Sequence, residues 1–137
     1  MDSLVCSFCG SIVRPSKKFC SAVCVSKHWH KQSMDTLIRT GSASTDKGYF
    51  LSKATKPFLL ARDGNLCQLC KLESWQEKPI PLVIDHIDGD SMNNLLTNLR
   101  LICCNCDALL PTYKGRNKGK GMGRAYRRQR YAEGKSW

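Results

Sequence analysis

The chain contains one set of polar residues whose types and spacing could support hydrolytic chemistry. Asp85 and His86 are neighbours after an apolar, β-rich segment, Asn98 follows His86 by twelve positions, and Asp107 follows Asn98 by nine. A neutral imidazole can take a proton from water, and its reference pKa of about 6.5 leaves it largely neutral near pH 7. His86 is the only histidine in this set. Without other signals, His86 would be interpreted as an ordinary polar residue at the end of a strand and Asp85 as a turn former.

Two pairs of cysteines frame these residues and favour the chemical interpretation. Cys67-x-x-Cys70 precedes them, and Cys103-x-x-Cys106 follows after 32 intervening residues. Two such pairs supply the four thiolates of a tetrahedral zinc site. Cys104 could take the place of Cys103, but the two-residue spacing to Cys106 matches the first pair and favours Cys103. We therefore predict a structural zinc ion bound by Cys67, Cys70, Cys103 and Cys106.

A second group of cysteines lies near the N-terminus. Cys6-x-x-Cys9 is followed, after ten intervening residues, by Cys20-x-x-x-Cys24. This spacing predicts a second zinc ion held by two short turns. Two alternatives stay open: four unrelated small apolar residues, or a site in which His28 or His30 replaces one sulfur.

Composition indicates a polyanionic partner and a reducing compartment. The 137 residues include 22 basic and 11 acidic side chains, for a formal net charge of +11, which favours nucleic acid as the partner. Nine cysteines in close pairs are better explained by metal binding than by disulfides if the protein is intracellular. No apolar run approaches the length of a membrane span, and residues 1–10 carry two cysteines where a signal peptide would be apolar. We expect a cytoplasmic protein.

The elements that must position these residues can be predicted from local pattern. Residues 56–62 predict a helix with a proline in its first turn, ended by Asp63 and Gly64. Residues 81–87 and 99–102 predict two strands, and residues 104–114 predict a helix. The order is strand, loop, strand, cysteine turn, helix, which is a small α+β fold.

The chain is expected to divide into four parts. We predict a zinc knuckle over residues 1–30, a linker over residues 31–54 with one short helix on its N-terminal side, a core over residues 55–118, and a basic arm over residues 119–137. Nine basic residues follow Pro111, against Glu133 alone. A solvated tail that only aids solubility is the alternative to phosphate binding. The predicted nucleic-acid contacts are Lys114, Arg116, Lys118, Lys120, Arg124, Arg127, Arg128 and Arg130.

The central motif resembles that of the HNH (ββα-metal) endonucleases. Residues 84–90, with the sequence Ile-Asp-His-Ile-Asp-Gly-Asp, and residues 98–106, which run from Asn98 to Cys106, are similar to the family motif. The two cysteine pairs match its zinc-bearing subgroup, and the resemblance covers about residues 58–118. It implies that residues 55–118 are a nuclease domain that hydrolyses DNA phosphodiester bonds with His86 as general base. Phage and mobile-element proteins, including homing endonucleases, are the nearest analogy.

The resemblance also implies roles for the other motif residues. Asp85 would bind the catalytic metal, and Asn98 would hydrogen-bond across the loop and hold the His86 strand. Family members usually have histidine at the last ligand position, where this chain has Asp107. Two carboxylates make a harder site, which favours Mg²⁺ or Mn²⁺ over Zn²⁺ or Ni²⁺. Asp88 and Asp90 are expected to be turn residues rather than ligands.

Two other functions are compatible with the charge and the cysteines. One is a zinc-containing nucleic-acid-binding module without catalysis, which the substitution at Asp107 makes conceivable. The other is an RNA-directed zinc protein. A pure binding protein has no need of Asp85, His86 and Asn98 together, so the sequence favours the nuclease.

Overall fold

A computed structural model describes residues 4–45, 50–114 and 129–134 of the chain. These residues fall into two units, Met1–Thr40 and Gly41–Trp137. No described helix is both long enough and apolar enough to cross a lipid bilayer.

The first unit is built around a cysteine-bearing turn and one long helix. Val5 pairs with Ile12 across the turn, and the N–H of Cys6 donates to the carbonyl of Ser11 at 2.7 Å. Helix α1, Ala22–Thr40, then begins between the two members of the second cysteine pair. The hydroxyl of Ser21 accepts from the N–H of Cys24 at 3.3 Å, so a serine caps the start of the helix. The small buried core of this unit consists of Cys6, Val13 and Cys24, with Phe19 packed against it.

Helix α1 is longer than the short helix predicted from the sequence. It has 19 residues and crosses position 30, where the knuckle was expected to end. Residues 22–40 contain no glycine or proline that would stop a helix, and Gly41, with φ of 65°, follows the last helical residue. The lack of a sustained apolar period in this segment led to its interpretation as a linker.

The second unit is organised by an antiparallel hairpin. Strand β3, Leu82–His86, pairs with strand β4, Leu99–Cys103, in a register that places Leu82 opposite Cys103 and His86 opposite Leu99. Both strands were predicted, within one residue at each end. Leu99, Leu101 and Ile102 are at most 1% exposed. Burying each such side chain contributes about 1.5–3 kcal/mol, so β4 is the centre of the core.

Helix α2, Thr55–Asp63, binds the hairpin through its basic side chains as well as its apolar face. Leu59 is fully buried. The Nζ of Lys56 donates to the carbonyl of Leu82 at 2.7 Å, and the guanidinium of Arg62 donates to the carbonyls of Leu96 and Leu99, each at 2.8 Å. The helix ends before Gly64, as predicted, with φ of 80° at that glycine.

Helix α3, Cys104–Leu109, follows β4 directly. It is shorter than the helix predicted over residues 104–114, because Leu110 is extended, with φ of −66° and ψ of 143°. Leu110 precedes Pro111, and the residue before a proline is pushed out of the helical region. The strand, strand, helix order of β3, β4 and α3 confirms the predicted α+β class.

Two features of the second unit were not predicted. A short hairpin of β1, Ser74–Trp75, and β2, Lys78–Pro79, lies inside the span between the cysteine pairs. Residues 42–44, placed in the linker by the sequence analysis, form isolated bridges in which Ser42 pairs with Leu95 and Ser44 pairs with Leu51. The predicted boundary at residue 54 therefore lies inside a segment that is hydrogen-bonded into this unit.

Candidate active site and cysteine clusters

The cysteine cluster of the second unit brings together the four predicted zinc ligands. The sulfur atoms of Cys67, Cys70, Cys103 and Cys106 all lie within 4.8 Å of one another. The N–H of Cys103 donates to the sulfur of Cys67 at 3.3 Å, and the N–H of Cys106 donates to the sulfur of Cys103 at 3.4 Å. Cys104 is exposed and outside the cluster, so the structure groups Cys103, and not Cys104, with the other three cysteines.

The electrostatics of this cluster fit a divalent cation. Burial raises the pKa of the Cys67 thiol, but hydrogen bonds from the backbone of Cys103, Cys70 and Leu69 outweigh burial and bring this pKa to about 6. Burial and hydrogen bonds with the neighbouring thiols raise the pKa of Cys106 to about 12. Without metal, the Cys106 thiol therefore resists ionisation beside its neighbours. Zn²⁺ prefers four thiolates in tetrahedral geometry and would neutralise their repulsion, so the donor set fits zinc.

The cluster of the first unit has the same composition and a more open setting. The sulfur atoms of Cys6, Cys9, Cys20 and Cys24 lie within 4.8 Å of one another, and Cys9 and Cys20 are exposed. Backbone hydrogen bonds from Cys9, Cys20 and Phe8 overcome the effect of burial and lower the pKa of Cys6 to about 6. Hydrogen bonds with the thiols of Cys24 and Cys9 raise the pKa of Cys20 to about 12.

Neither nearby histidine joins this first cluster. The ring of His28 packs against Phe19, with the ring centroids 5.0 Å apart, and against Trp29 at 5.4 Å. His30 is exposed and is not among the clustered ligands. The four-sulfur set is thus the one that the structure brings together.

A cleft of about 320 Å³ lies where β3 ends and α3 begins. Asp85, His86 and Asp107 all line it, together with Lys114. The fold thus brings three of the four predicted chemical residues to one cavity. Among the described residues, the two cysteine clusters are the groups whose ligand atoms all lie within 4.8 Å of one another. The ligand atoms of Asp85, His86 and Asp107 do not form such a group.

The two carboxylates of the cleft differ in their contacts. Asp85 is 9% exposed, and its Oδ2 accepts from the Nε of Arg100 at 2.7 Å. Within residues 4–45, 50–114 and 129–134, no hydrogen bond reaches Oδ1 of Asp85 or the carboxylate of Asp107. Both residues therefore offer oxygen atoms to the cleft.

Asn98 is not among the residues that line the cleft, and its side chain closes the loop between β3 and β4. Its Nδ2 donates to the carbonyl of Asn93 at 2.8 Å and to Oδ1 of Asp88 at 2.9 Å. Its Oδ1 accepts from the N–H of Asp88 at 3.2 Å, and its carbonyl accepts from the N–H of Ile87 at 2.9 Å. These bonds hold the two residues that follow His86.

Asp88 has the contacts of a turn residue. Hydrogen bonds from the Asn93 side chain, the Asp90 backbone and the Asn98 side chain lower its pKa to about 2. The shortest of them joins Oδ2 of Asp88 to Nδ2 of Asn93 at 2.7 Å. Asp90 likewise accepts from the N–H of Met92 at 2.9 Å.

Comparison with known proteins finds a relative of this chain. The chain is 45% identical over 74 residues to H-N-H endonuclease F-TflIV of Escherichia phage T5. The chain is related to an HNH endonuclease. The aligned part covers 54% of this chain and 30% of the relative, so the chain spans less than a third of that protein's length. No family model matches the chain, and no solved structure matches it.

This relationship confirms the HNH resemblance, and the cysteine clusters fit the zinc-bearing type. Two residues of the HNH-like site were missed by sequence reasoning. Arg100 pairs with Asp85 across the hairpin, which an antiparallel register would have revealed because the two residues are directly opposite. Asn94, interpreted as a turn former, has its Oδ1 2.9 Å from the Nε2 of His86. No signal in the sequence distinguishes Asn94 from Asn93.

The predicted nucleic-acid contacts are described only in part. Lys114 lines the cleft, with its Nζ 4.9 Å from the centroid of the Tyr113 ring. A hydrogen bond with Tyr113, followed by the charges of Tyr113 and Asp107, raises the pKa of Lys114. Arg130 lies in a single helical turn. The other six predicted contacts lie outside the described residues: Arg116, Lys118, Lys120, Arg124, Arg127 and Arg128.

Proposed function

We propose that this chain is a metal-dependent DNA endonuclease that hydrolyses phosphodiester bonds, with His86 as the general base. The observation that carries the proposal is the position of His86 at the end of β3, in one cleft with Asp85 and Asp107. The name of the phage relative supports the same activity. Because the match covers a minority of that relative, the activity of the whole protein is inferred from the cleft and the motif together.

Asp85 and Asp107 are the residues that would bind the catalytic ion. Each presents carboxylate oxygen to the cleft without a hydrogen bond from another described residue, and carboxylate oxygen suits Mg²⁺ or Mn²⁺. Arg100 holds the other oxygen of Asp85 and so limits rotation of that side chain. A divalent ion bound here would supply charge to stabilise the phosphorane-like transition state and the leaving 3′ oxygen.

The side chains of the protein supply the remaining steps. His86 accepts the proton of the attacking water, which requires a neutral imidazole. Lys114 lines the cleft and would attract the scissile phosphate. Asn98 acts on His86 only through the loop, because it is hydrogen-bonded to Asp88 and Asn93 and does not line the cleft. We assign it a positioning role.

Affinity for DNA would come from outside the cleft. The net charge of +11 and the predicted basic contacts from Lys114 to Arg130 favour phosphate binding over a wide surface. Zinc at the two cysteine clusters would stabilise both units, since metal binding adds directly to folding free energy.

Replacing the proposed base tests the function. The purified His86→Ala variant, incubated with supercoiled plasmid and Mg²⁺ or Mn²⁺, should cleave about 10²- to 10⁴-fold more slowly than wild type. Zinc content and DNA affinity should not change. His30→Ala is the matched control, because it removes an exposed imidazole far along the chain from the cleft. Cleavage by His86→Ala at the wild-type rate would refute the mechanism.

The second candidate function is a zinc-containing nucleic-acid-binding module without catalysis. It is favoured by Asp107 in place of the family histidine, and by the absence, among the described residues, of a tight three-ligand group in the cleft. The same assay separates the two functions. A wild-type protein that binds DNA but cuts it under neither Mg²⁺ nor Mn²⁺ would be the binding module.

A further inference from the structure

We propose that Asn94 is a positioning residue that fixes both the tautomer and the orientation of the His86 ring, with its unprotonated Nδ1 left free for water. The inference rests on the proposed function of His86 as a base. Oδ1 of Asn94 lies 2.9 Å from Nε2 of His86, and Asn94 is only 3% exposed. A buried amide that contacts an imidazole at this distance restricts what the ring can do.

The second contact of Asn94 agrees with the orientation in which Oδ1 faces the ring. Its Nδ2 donates to the hydroxyl of Ser44 at 3.3 Å. An amide nitrogen can only donate, whereas an amide oxygen can only accept. With Nδ2 directed at Ser44, Oδ1 is the atom that meets His86, so Nε2 of the neutral ring must carry the proton. Nδ1 then keeps its lone pair.

The backbone of Asn94 is also held. Its carbonyl accepts from the N–H of Ala43 at 2.7 Å, and Leu96, two residues later, donates to the carbonyl of Gly41 at 2.9 Å. Ser42 pairs with Leu95 between these two bonds. Residues 41–44 lie outside the HNH-like motif. Their hydrogen bonds therefore hold Asn94, the residue that contacts His86.

This arrangement has a chemical consequence for a general base. A ring nitrogen accepts a proton from water only if it is unprotonated and directed at that water. His86 lines the cleft, and since its Nε2 is occupied by a buried amide, Nδ1 is the ring nitrogen that remains for a water. Loss of Asn94 would free the ring to rotate and to exchange its proton between the two nitrogens.

Ring NMR tests the inference without requiring cleavage. In protein with ¹⁵N-labelled histidine at about pH 8, above the ordinary imidazole range, wild type should show an Nε2–H signal of His86 that exchanges slowly with water. Asn94→Leu keeps the branching at Cγ but has no acceptor, and it should lose this slow exchange. Asn94→Asp keeps an oxygen acceptor, and the Ser44 hydroxyl can turn to donate to it, so the signal should return. His28 and His30 give internal reference signals, and His86→Ala assigns the third.

Kinetics then test whether the contact matters for the reaction. Asn94→Leu should lower kcat by about 10- to 100-fold, as expected for loss of a partner that orients a functional histidine, with KM for DNA unchanged. Ser44→Ala should give a smaller loss, and Asn94→Asp should recover most of the rate. Asn65→Leu is the control, since Asn65 is exposed and outside the cleft. Zinc content verifies that each variant is folded.

The results that overturn the inference are distinct from those that overturn the proposed function. A neutral His86 ring protonated on Nδ1 in wild type, or wild-type kcat in Asn94→Leu, would refute the role of Asn94. If wild type cuts no DNA, the proposed function fails, whereas the ring signal still decides whether Asn94 holds the Nε2–H.

Discussion

The two cysteine clusters have the same ligands but enclose different amounts of chain. In the first unit ten residues separate the two pairs, and in the second unit 32 residues do. The short span holds a turn that leads into α1, whereas the long span contains β3 and most of β4. The segment that carries Asp85 and His86 therefore begins and ends at cysteines of the second cluster, whereas the first cluster lies entirely before it in the chain.

The two clusters also differ in how their cysteines are buried. Cys67 and Cys103 are at most 2% exposed and belong to the main core, in which Cys103 is the last residue of β4. The first cluster contributes two of the three residues of its own small core. A zinc ion would thus complete a larger apolar core in the second unit and would replace such a core in the first unit.

The largest effect is expected from breaking the second cluster. Cys106→Ser removes one thiolate from a type of site whose metal contributes about 10–16 kcal/mol in zinc-finger peptides, comparable to the stability of a whole domain. The bound zinc should fall from two ions to one, and the second unit and cleavage should be lost. Metal analysis by mass spectrometry and circular dichroism measure this. Cys104→Ser is the matched control and should keep both ions, because Cys104 is exposed and outside the cluster.

A smaller effect is expected from breaking the first cluster. The double variant Cys9→Ser, Cys20→Ser should lose one zinc ion while the second unit stays folded, because its core contains none of the substituted residues. DNA affinity should fall by at least about tenfold, or about 1.4 kcal/mol, and cleavage of bound DNA should persist. Filter binding and single-turnover cleavage separate the two quantities. Loss of both zinc ions would contradict the independence of the units.

The third prediction contrasts the thiolate sites with the carboxylate site. Asp107→Ala should raise the Mg²⁺ concentration needed for half-maximal cleavage by about tenfold or more, with both zinc ions retained, because thiolates and carboxylates select different metals. Asp107→His should keep activity and shift preference toward softer divalent ions. Asp35→Ala removes an exposed carboxylate of α1 and is the control. If Asp107→Ala needs the same Mg²⁺ concentration as wild type for half-maximal cleavage, Asp107 is not a ligand.

Near neutral pH, the smallest effect on bound zinc is expected from a change in pH, which should act on both clusters. The pKa values of Cys6 and Cys67, at about 6, lie below the ordinary thiol value of 9.0. A lowered pKa contributes stability that is present above the ordinary value and is lost as pH falls through the lowered one. Because protons compete with zinc for thiolates, both clusters should release zinc as pH falls into the acid range, as measured with a chromophoric chelator. Release from only one cluster in this range would show that the clusters differ in more than their position.

Much of this protein could be predicted from local pattern. The two ligand sets follow from cysteine spacing, β3 and β4 from short apolar runs, and the end of α2 from Gly64. The early end of α3 was also encoded locally, since Pro111 excludes Leu110 from a helix, and the prediction gave this signal too little weight. The full length of α1 was not predicted, because residues 31–40 show no sustained apolar period. The absence of glycine and proline in this segment permits a helix but is weaker evidence for one.

The chemical groups and their order can be read from the amino-acid sequence alone: eight thiols that cluster, one imidazole beside a carboxylate, and a second carboxylate after the last cysteine. The tertiary structure decided which of them meet. Arg100 reaches Asp85 through strand register, and Asn94 reaches His86 while residues 41–44 hold it from fifty positions away in the chain. Such contacts depend on where separate segments of the chain pack. A hydrogen bond forms over about 3 Å whatever the number of residues between its partners. Side-chain type and spacing in the sequence therefore do not predict these pairs.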